Sequence, residues 1–168
     1  MSLSRKIALS GILFAATLTL SWLENLIPAV PGFPPGVKLG LSNIVVLFCL
    51  YYAGLPYVIS LVMLKAGFVF LLRGFTAAVL SLSGGILSIT VMILLVHITK
   101  KKVSSGLLSI SGACAHNLGQ LVAASILISS PFVFYYVPIL LISGVVMGII
   151  TGYIFIKITP YIDRFSFF

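Results

Sequence analysis

Residues 106–130 read GLLSISGACAHNLGQLVAASILISS, a stretch without one charged side chain. A helix crosses the hydrocarbon core of a bilayer in about 20 predominantly apolar residues, so this stretch is long enough to do so. Its centre, Ala113-Cys114-Ala115-His116-Asn117-Leu118-Gly119-Gln120, is nevertheless polar. A histidine, an asparagine and a glutamine in hydrocarbon are costly unless they find partners. His116 and Gln120 are four apart and share a helix face, with Asn117 flanking them. Gly112 and Gly119 permit close approach of a neighbouring backbone. The stretch reads as a membrane-spanning helix carrying hydrogen-bonding groups toward a ligand.

Working outward, the whole chain has the composition of that stretch. Of its 168 residues 61% are hydrophobic and only 7% charged, and the mean hydropathy is +1.28. Soluble domains carry about 25% charged residues. The chain is therefore expected to be an all-α integral membrane protein, a single domain over residues 1–168. Its net charge of +8 does not signal nucleic acid, because the basic residues gather at the ends of apolar segments and are not interleaved with exposed aromatics.

Six apolar segments are expected to span the membrane, at about 6–27, 39–54, 56–73, 76–99, 106–130 and 134–158. The breaks between them carry turn chemistry: the Pro-rich run from Pro28 to Gly36, Gly54-Leu55-Pro56, Arg73-Gly74, Lys100-Lys101-Lys102 and Ser129-Ser130-Pro131. The second segment is short for a crossing. Ser83-Gly84-Gly85 invites either a bend or a close helix contact. With both termini inside, Arg5, Lys6, the three lysines, Lys157 and Arg164 all lie in the cytoplasm, leaving Lys38 and Arg73 outside. That N-in, C-in arrangement obeys the positive-inside rule. A bacterial cytoplasmic membrane is the expected location.

Polar residues within or beside the spans are the candidate site. Lys65 lies near the middle of the third span, too deep to snorkel fully, which favours a ligand contact or a buried ion pair. Glu24, near the outer end of the first span, is either an interfacial carboxylate or a ligand contact. Asn43 opens the second span and either caps that helix or points into a cavity. The stiff loop from Pro28 through Lys38 is either a connector or the cap of an outward-facing pocket. Lys65 together with Lys38 favours an anionic or carbonyl-bearing ligand. Arg73 has an ordinary explanation as an interface anchor. On the first span Ala8, Gly11, Ala15 and Ala16 form small-residue positions that let another helix approach.

Several chemistries are excluded by residue supply. Glu24 and Asp163 are the only acids, so an aspartate-rich Mg²⁺-diphosphate site cannot be built. There is no phosphate-binding P-loop, so any ATP would be hydrolysed by another chain. Asp163 lies at the opposite membrane face from His116, which rules out a Ser-His-Asp triad. Two histidines and two isolated cysteines, Cys49 and Cys114, do not make a metal site. No cofactor, no metal and no catalytic residue is expected.

The strings Glu24-Asn-Leu-Ile-Pro28, Gly36-Val-Lys-Leu-Gly-Leu-Ser-Asn43, Ser81-Leu-Ser-Gly-Gly-Ile-Leu-Ser88 and Gly112-Ala-Cys-Ala-His-Asn-Leu-Gly-Gln120 resemble the Gx transporter family. That family is also labelled heptaprenyl diphosphate synthase component I. It is similar to the S components of energy-coupling factor transporters. The resemblance implies a six-helix substrate-binding subunit that takes a small vitamin-like, isoprenoid or quinone-related molecule from outside. It implies work with a transmembrane coupling subunit and two ATPase subunits, docked through an alanine-rich stripe on the first helix. Ala8 and Ala16 fit that stripe, and Ile12 interrupts it. The alternatives are a membrane subunit of prenyl diphosphate or quinone biosynthesis, and a stand-alone carrier. Inverted repeats, a usual mark of secondary carriers, are not evident.

Overall fold

The structure, a computed structural model, describes residues 3–26, 41–100 and 102–164. Among the described residues every regular element is helical: α1 (Leu3–Leu26), α2 (Asn43–Phe48) running into a π-helical turn (Cys49–Ala53), α3 (Leu55–Ile98), α4 (Ser105–Ile128), a 3₁₀ turn (Pro131–Tyr136) and α5 (Val137–Arg164). Three helices, Leu55–Ile98, Ser105–Ile128 and Pro131–Tyr161, are long and apolar enough to cross a membrane. Large apolar side chains are exposed on the outer surface, with Leu71, Ile126 and Phe132 each at least 70% exposed. In water such a surface would aggregate; in a bilayer it faces lipid.

The predicted third and fourth spans are joined in one element, α3. Its 44 residues would measure about 66 Å as a straight rod, over twice the hydrocarbon thickness. It is not a straight rod. Gly74 has φ 83° and ψ −176°, a backbone region open to glycine and closed to residues with a Cβ. The helix therefore consists of two limbs, 55–73 and 75–98, and the break falls at the Arg73-Gly74 turn signal. The limbs fold back on one another: a Cβ placed on Gly85 would lie 2.6 Å from Val62 Cγ1. Ser83-Gly84-Gly85 thus makes a close contact and not a bend.

The predicted second span, 39–54, is shorter in the structure. The apolar helix there covers Asn43–Ala53, about 16 Å of rise, roughly half a bilayer core. Gly54, at φ 92°, reverses the chain, and proline in the first turn of α3 starts the next helix. Asn43 does not cap α2. The cap position belongs to Ser42, whose side chain makes no capping bond.

α4 lies at the centre, packed along α3 on one side and α5 on the other. Its start is fixed by Ser104, whose hydroxyl accepts the Leu107 N–H at 3.2 Å. It ends at Ser129 in the left-handed region, ahead of Pro131. The α4–α5 seam is a ladder of small residues. Gly144, Gly148 and Gly152 lie directly against Cys114, Ile110 and Gly106, at successive four-residue steps on both helices. Polar bonds tie the same seam. Ser109 and Thr151 hydroxyls meet at 2.7 Å, and the Asn117 amide donates to the Leu140 carbonyl at 2.8 Å and to the Ser143 hydroxyl at 3.2 Å. Fully buried Leu47, Val58, Met92 and Leu108 fill the core between α2, α3 and α4, and Leu80, Leu121 and Leu140 fill a second core toward the other end of α4.

Side chains at the glycine contacts have nowhere to go. Gly119→Leu and Gly148→Leu are each expected to lower stability by about 1–3 kcal/mol through overpacking. Gly11→Leu, at a position with no atom within 4 Å, is expected to leave it unchanged. Thermal unfolding in detergent measures all three; equal effects would contradict this account of the seams.

Candidate functional site

The approach of α3 to α4 is closest where two glycines face one another's backbones. A Cβ on Gly84 would lie 2.8 Å from the His116 carbonyl oxygen, and one on Gly119 would lie 2.7 Å from the Ser83 carbonyl oxygen. Only glycine permits this separation. The His116 ring and the Gln120 side chain, one turn apart on α4, are pressed against α3 as a result. Both are almost fully buried, at 2% and 3% exposure.

The two side chains bond to each other. Gln120 Nε2 lies 3.1 Å from His116 Nε2. An amide nitrogen can only donate, so with the amide as placed His116 Nε2 accepts and the ring proton sits on Nδ1. The ring also interacts with the Gly84 backbone carbonyl, but Nδ1 makes no hydrogen bond of good geometry among the described residues. A buried, unsatisfied donor costs about 1–3 kcal/mol. The same holds for Asn43 Nδ2, also buried and without a partner among the described residues. Lys65 is buried at 6% exposure and its ammonium donates to the Ser42 hydroxyl. That bond ties the start of α2 to the middle of the first α3 limb.

Lys65, His116 and Gln120 share a cleft. Lys65, Val69 and Arg73 line it from the first limb, Ala77 and Ser81 from the second, and His116 and Gln120 from α4. Each set advances by four residues, so each is one stripe of its helix. The open space is about 10 Å³, room for roughly one water molecule. A ligand larger than that would have to part α3 from α4 or enter from the end near Gly74.

The sequence-derived candidates distribute as follows. Lys65, His116 and Gln120 come together in the cleft. Asn117 belongs to the other side of α4, where its amide is committed to α5; its Oδ1 has no partner among the described residues. Asn43 is next to Ser42, the Lys65 partner. The side chain of Glu24, and Lys38 with the loop around it, lie outside the described residues. On α1, Ala8, Gly11 and Ala15 are exposed beside Ile12 at 68% exposure, whereas Ala16 turns inward against the core. Among the described residues no three histidine, cysteine or acidic side chains gather as a metal site would require. Cys49 and Cys114 are free thiols.

Arg73, Ser81 and Ser42 were not singled out by sequence reasoning. The signal for Arg73 is its spacing of eight from Lys65, two turns along the same stripe. It was masked by the ordinary role of an arginine at a helix end. Ser81 depends on the fold-back at Gly74, which spacing within one helix does not reveal.

The family described as heptaprenyl diphosphate synthase component I matches residues 13–158. The chain belongs to this family. The match takes in every residue of the cleft and both glycine seams. No curated protein and no solved structure matches the chain.

Asn117 and the cleft residues should separate by experiment. Asn117→Leu is expected to weaken the α4–α5 seam by about 0.6 kcal/mol, the average for interhelical hydrogen bonds in bilayers, and by no more than about 1.7 kcal/mol, with ligand retention unchanged. Lys65→Gln is expected to lower retention about tenfold. Unfolding midpoints and the amount of small molecule co-purifying with each variant report the two effects; loss of ligand in Asn117→Leu alone would contradict the division.

Proposed function

We propose that this family member is the substrate-binding membrane subunit of an ATP-driven uptake system of the energy-coupling factor type. The observation that carries the reading is the α3–α4 cleft. It gathers a lysine, an arginine, a histidine and a glutamine, whereas the other buried polar side chains among the described residues are, apart from two asparagines, all hydroxyls. Polar groups at membrane depth are retained where they serve a ligand or a pathway.

The topology proposed is six crossings with both termini in the cytoplasm. The length of α3 supports two crossings joined at an outer turn at Gly74. The aromatic cluster at the end of α2 fits the same orientation. Tyr51 and Tyr52 lie 5.2 and 6.4 Å from the Phe155 ring, near Lys157, and this end would share the inner face with Lys100–Lys102. The cleft would then open outward, and the Pro-rich loop, which lies outside the described residues, is proposed to close over a bound molecule. Arg73 would sit at its mouth. ATP hydrolysis would fall to partner ATPases through a coupling subunit, because the chain carries no nucleotide-binding motif. The exposed face of α1 at Ala8, Gly11 and Ala15 is the proposed docking surface.

The family description favours a second reading, a membrane component of a prenyl diphosphate synthase. Two acidic residues in the entire chain argue against this chain itself holding diphosphate through Mg²⁺. Tagged protein purified from its native membrane distinguishes the readings. The transporter reading predicts a coupling subunit and two ATPases in the eluate. A soluble prenyl synthase in their place, or turnover of an allylic diphosphate, would overturn it. Cysteine labelling is expected to modify position 75, next to the turn and exposed, only from outside and position 102 only from inside; the reverse would overturn the orientation.

A further inference from the structure

We infer that the cleft recognises its ligand by an oxyanion, a carboxylate or a phosphate group, seated between Lys65 and Arg73. The inference deepens the reading of the cleft as a substrate site and rests on it. Lys65 and Arg73 stand on one stripe of the same limb with only Val69 between them, about 12 Å apart along the axis. Helix side chains lean toward the N-terminus, so Arg73 reaches back over Val69 toward Lys65. Two positive charges on one wall repel each other, more strongly as water is excluded. One oxyanion between them relieves that repulsion and gains two charge-assisted hydrogen bonds.

The facing wall has the matching polarity. His116 and Gln120, bonded to each other, present their polar side chains from α4. Ser81 adds a hydroxyl from the second limb. The cleft therefore carries two cations among neutral polar groups, and among the described residues no acid lines it. A cationic ligand would add to the repulsion, and a neutral one would not offset the repulsion between the two charges. An oxyanion accepts several bonds at once and selects this arrangement. The arginine fork suits a planar carboxylate or phosphate edge better than a lysine would there.

Four probes of similar size test this on the full chain in lipid nanodiscs: benzoate, phenyl phosphate, benzamide and benzyl alcohol. Thermal unfolding is followed at equal probe concentrations. The expected result is a higher midpoint with at least one of the two anions and none with the neutral pair. Benzoate alone acting would assign a carboxylate, and phenyl phosphate alone a phosphate. Arg73→Gln, at an exposed position that keeps the helix, is expected to weaken the anion about tenfold, as is Lys65→Gln. Neutral probes that match the anions, no shift with either anion, or an undiminished anion response in Arg73→Gln would each overturn the inference. Those outcomes leave the transporter reading standing, because that reading fails separately, through the absence of the coupling subunit and ATPases on purification.

Discussion

The crossing of α3 and α4 at Gly84 and Gly119 is the constraint on which the rest depends. Two helices carrying ordinary side chains stay 8–10 Å apart. With each glycine set against the other helix's carbonyl, the backbones come closer, and the polar groups of α4 are driven into the face of α3. His116 and Gln120 then lie inside the protein instead of in lipid. A single methyl on either glycine would collide with backbone, which cannot move aside as a side chain tip can. The cleft is thus defined by two residues that contribute nothing to its chemistry.

A second break in regularity supplies the other wall. Without Gly74 the 44 residues of α3 would outrun any bilayer. With it the helix turns back, and residues on either side of the turn, Arg73 and Ser81, face the same space as Lys65. Helix α5 contributes from behind. Its glycine ladder and the Asn117 and Thr151 bonds hold α4 in rotation, so that His116 faces α3 while Asn117 faces α5. A rotation of α4 by one residue, about 100°, would bring Asn117 to the place of His116. The cleft therefore relies on two different kinds of helix contact, backbone proximity on one side and hydrogen bonding with small residues on the other.

Much of this was legible in the sequence, for reasons that can be named. The helical class and the membrane setting follow from composition and segment length alone. The Arg73-Gly74 turn is a local signal that the fold uses as written. His116, Gln120 and Lys65 stand out because a polar group in an apolar run is improbable without cause. Other features were hidden because they are relations between distant segments. Asn117 is adjacent to His116 in sequence, yet its facing is set by α5. The ladder at Gly144, Gly148 and Gly152 looks like ordinary glycine content until Ile110 and Cys114 are opposite it. Arg73 joins the cleft only because the limb's stripe continues to the turn. The length of α2 could not be judged from hydropathy, since the apolar run before Gly54 is continuous while the helix within it is short.

The central claim is that the α3–α4 cleft holds a small molecule. Native mass spectrometry of the protein, purified in the mildest detergent that keeps it folded, tests this most directly. The account predicts a satellite peak of one defined small mass on the wild-type chain, absent from a chain carrying both Lys65→Gln and His116→Ala that still unfolds cooperatively. A wild-type chain with no bound mass, or the same mass retained by the double variant, would contradict it.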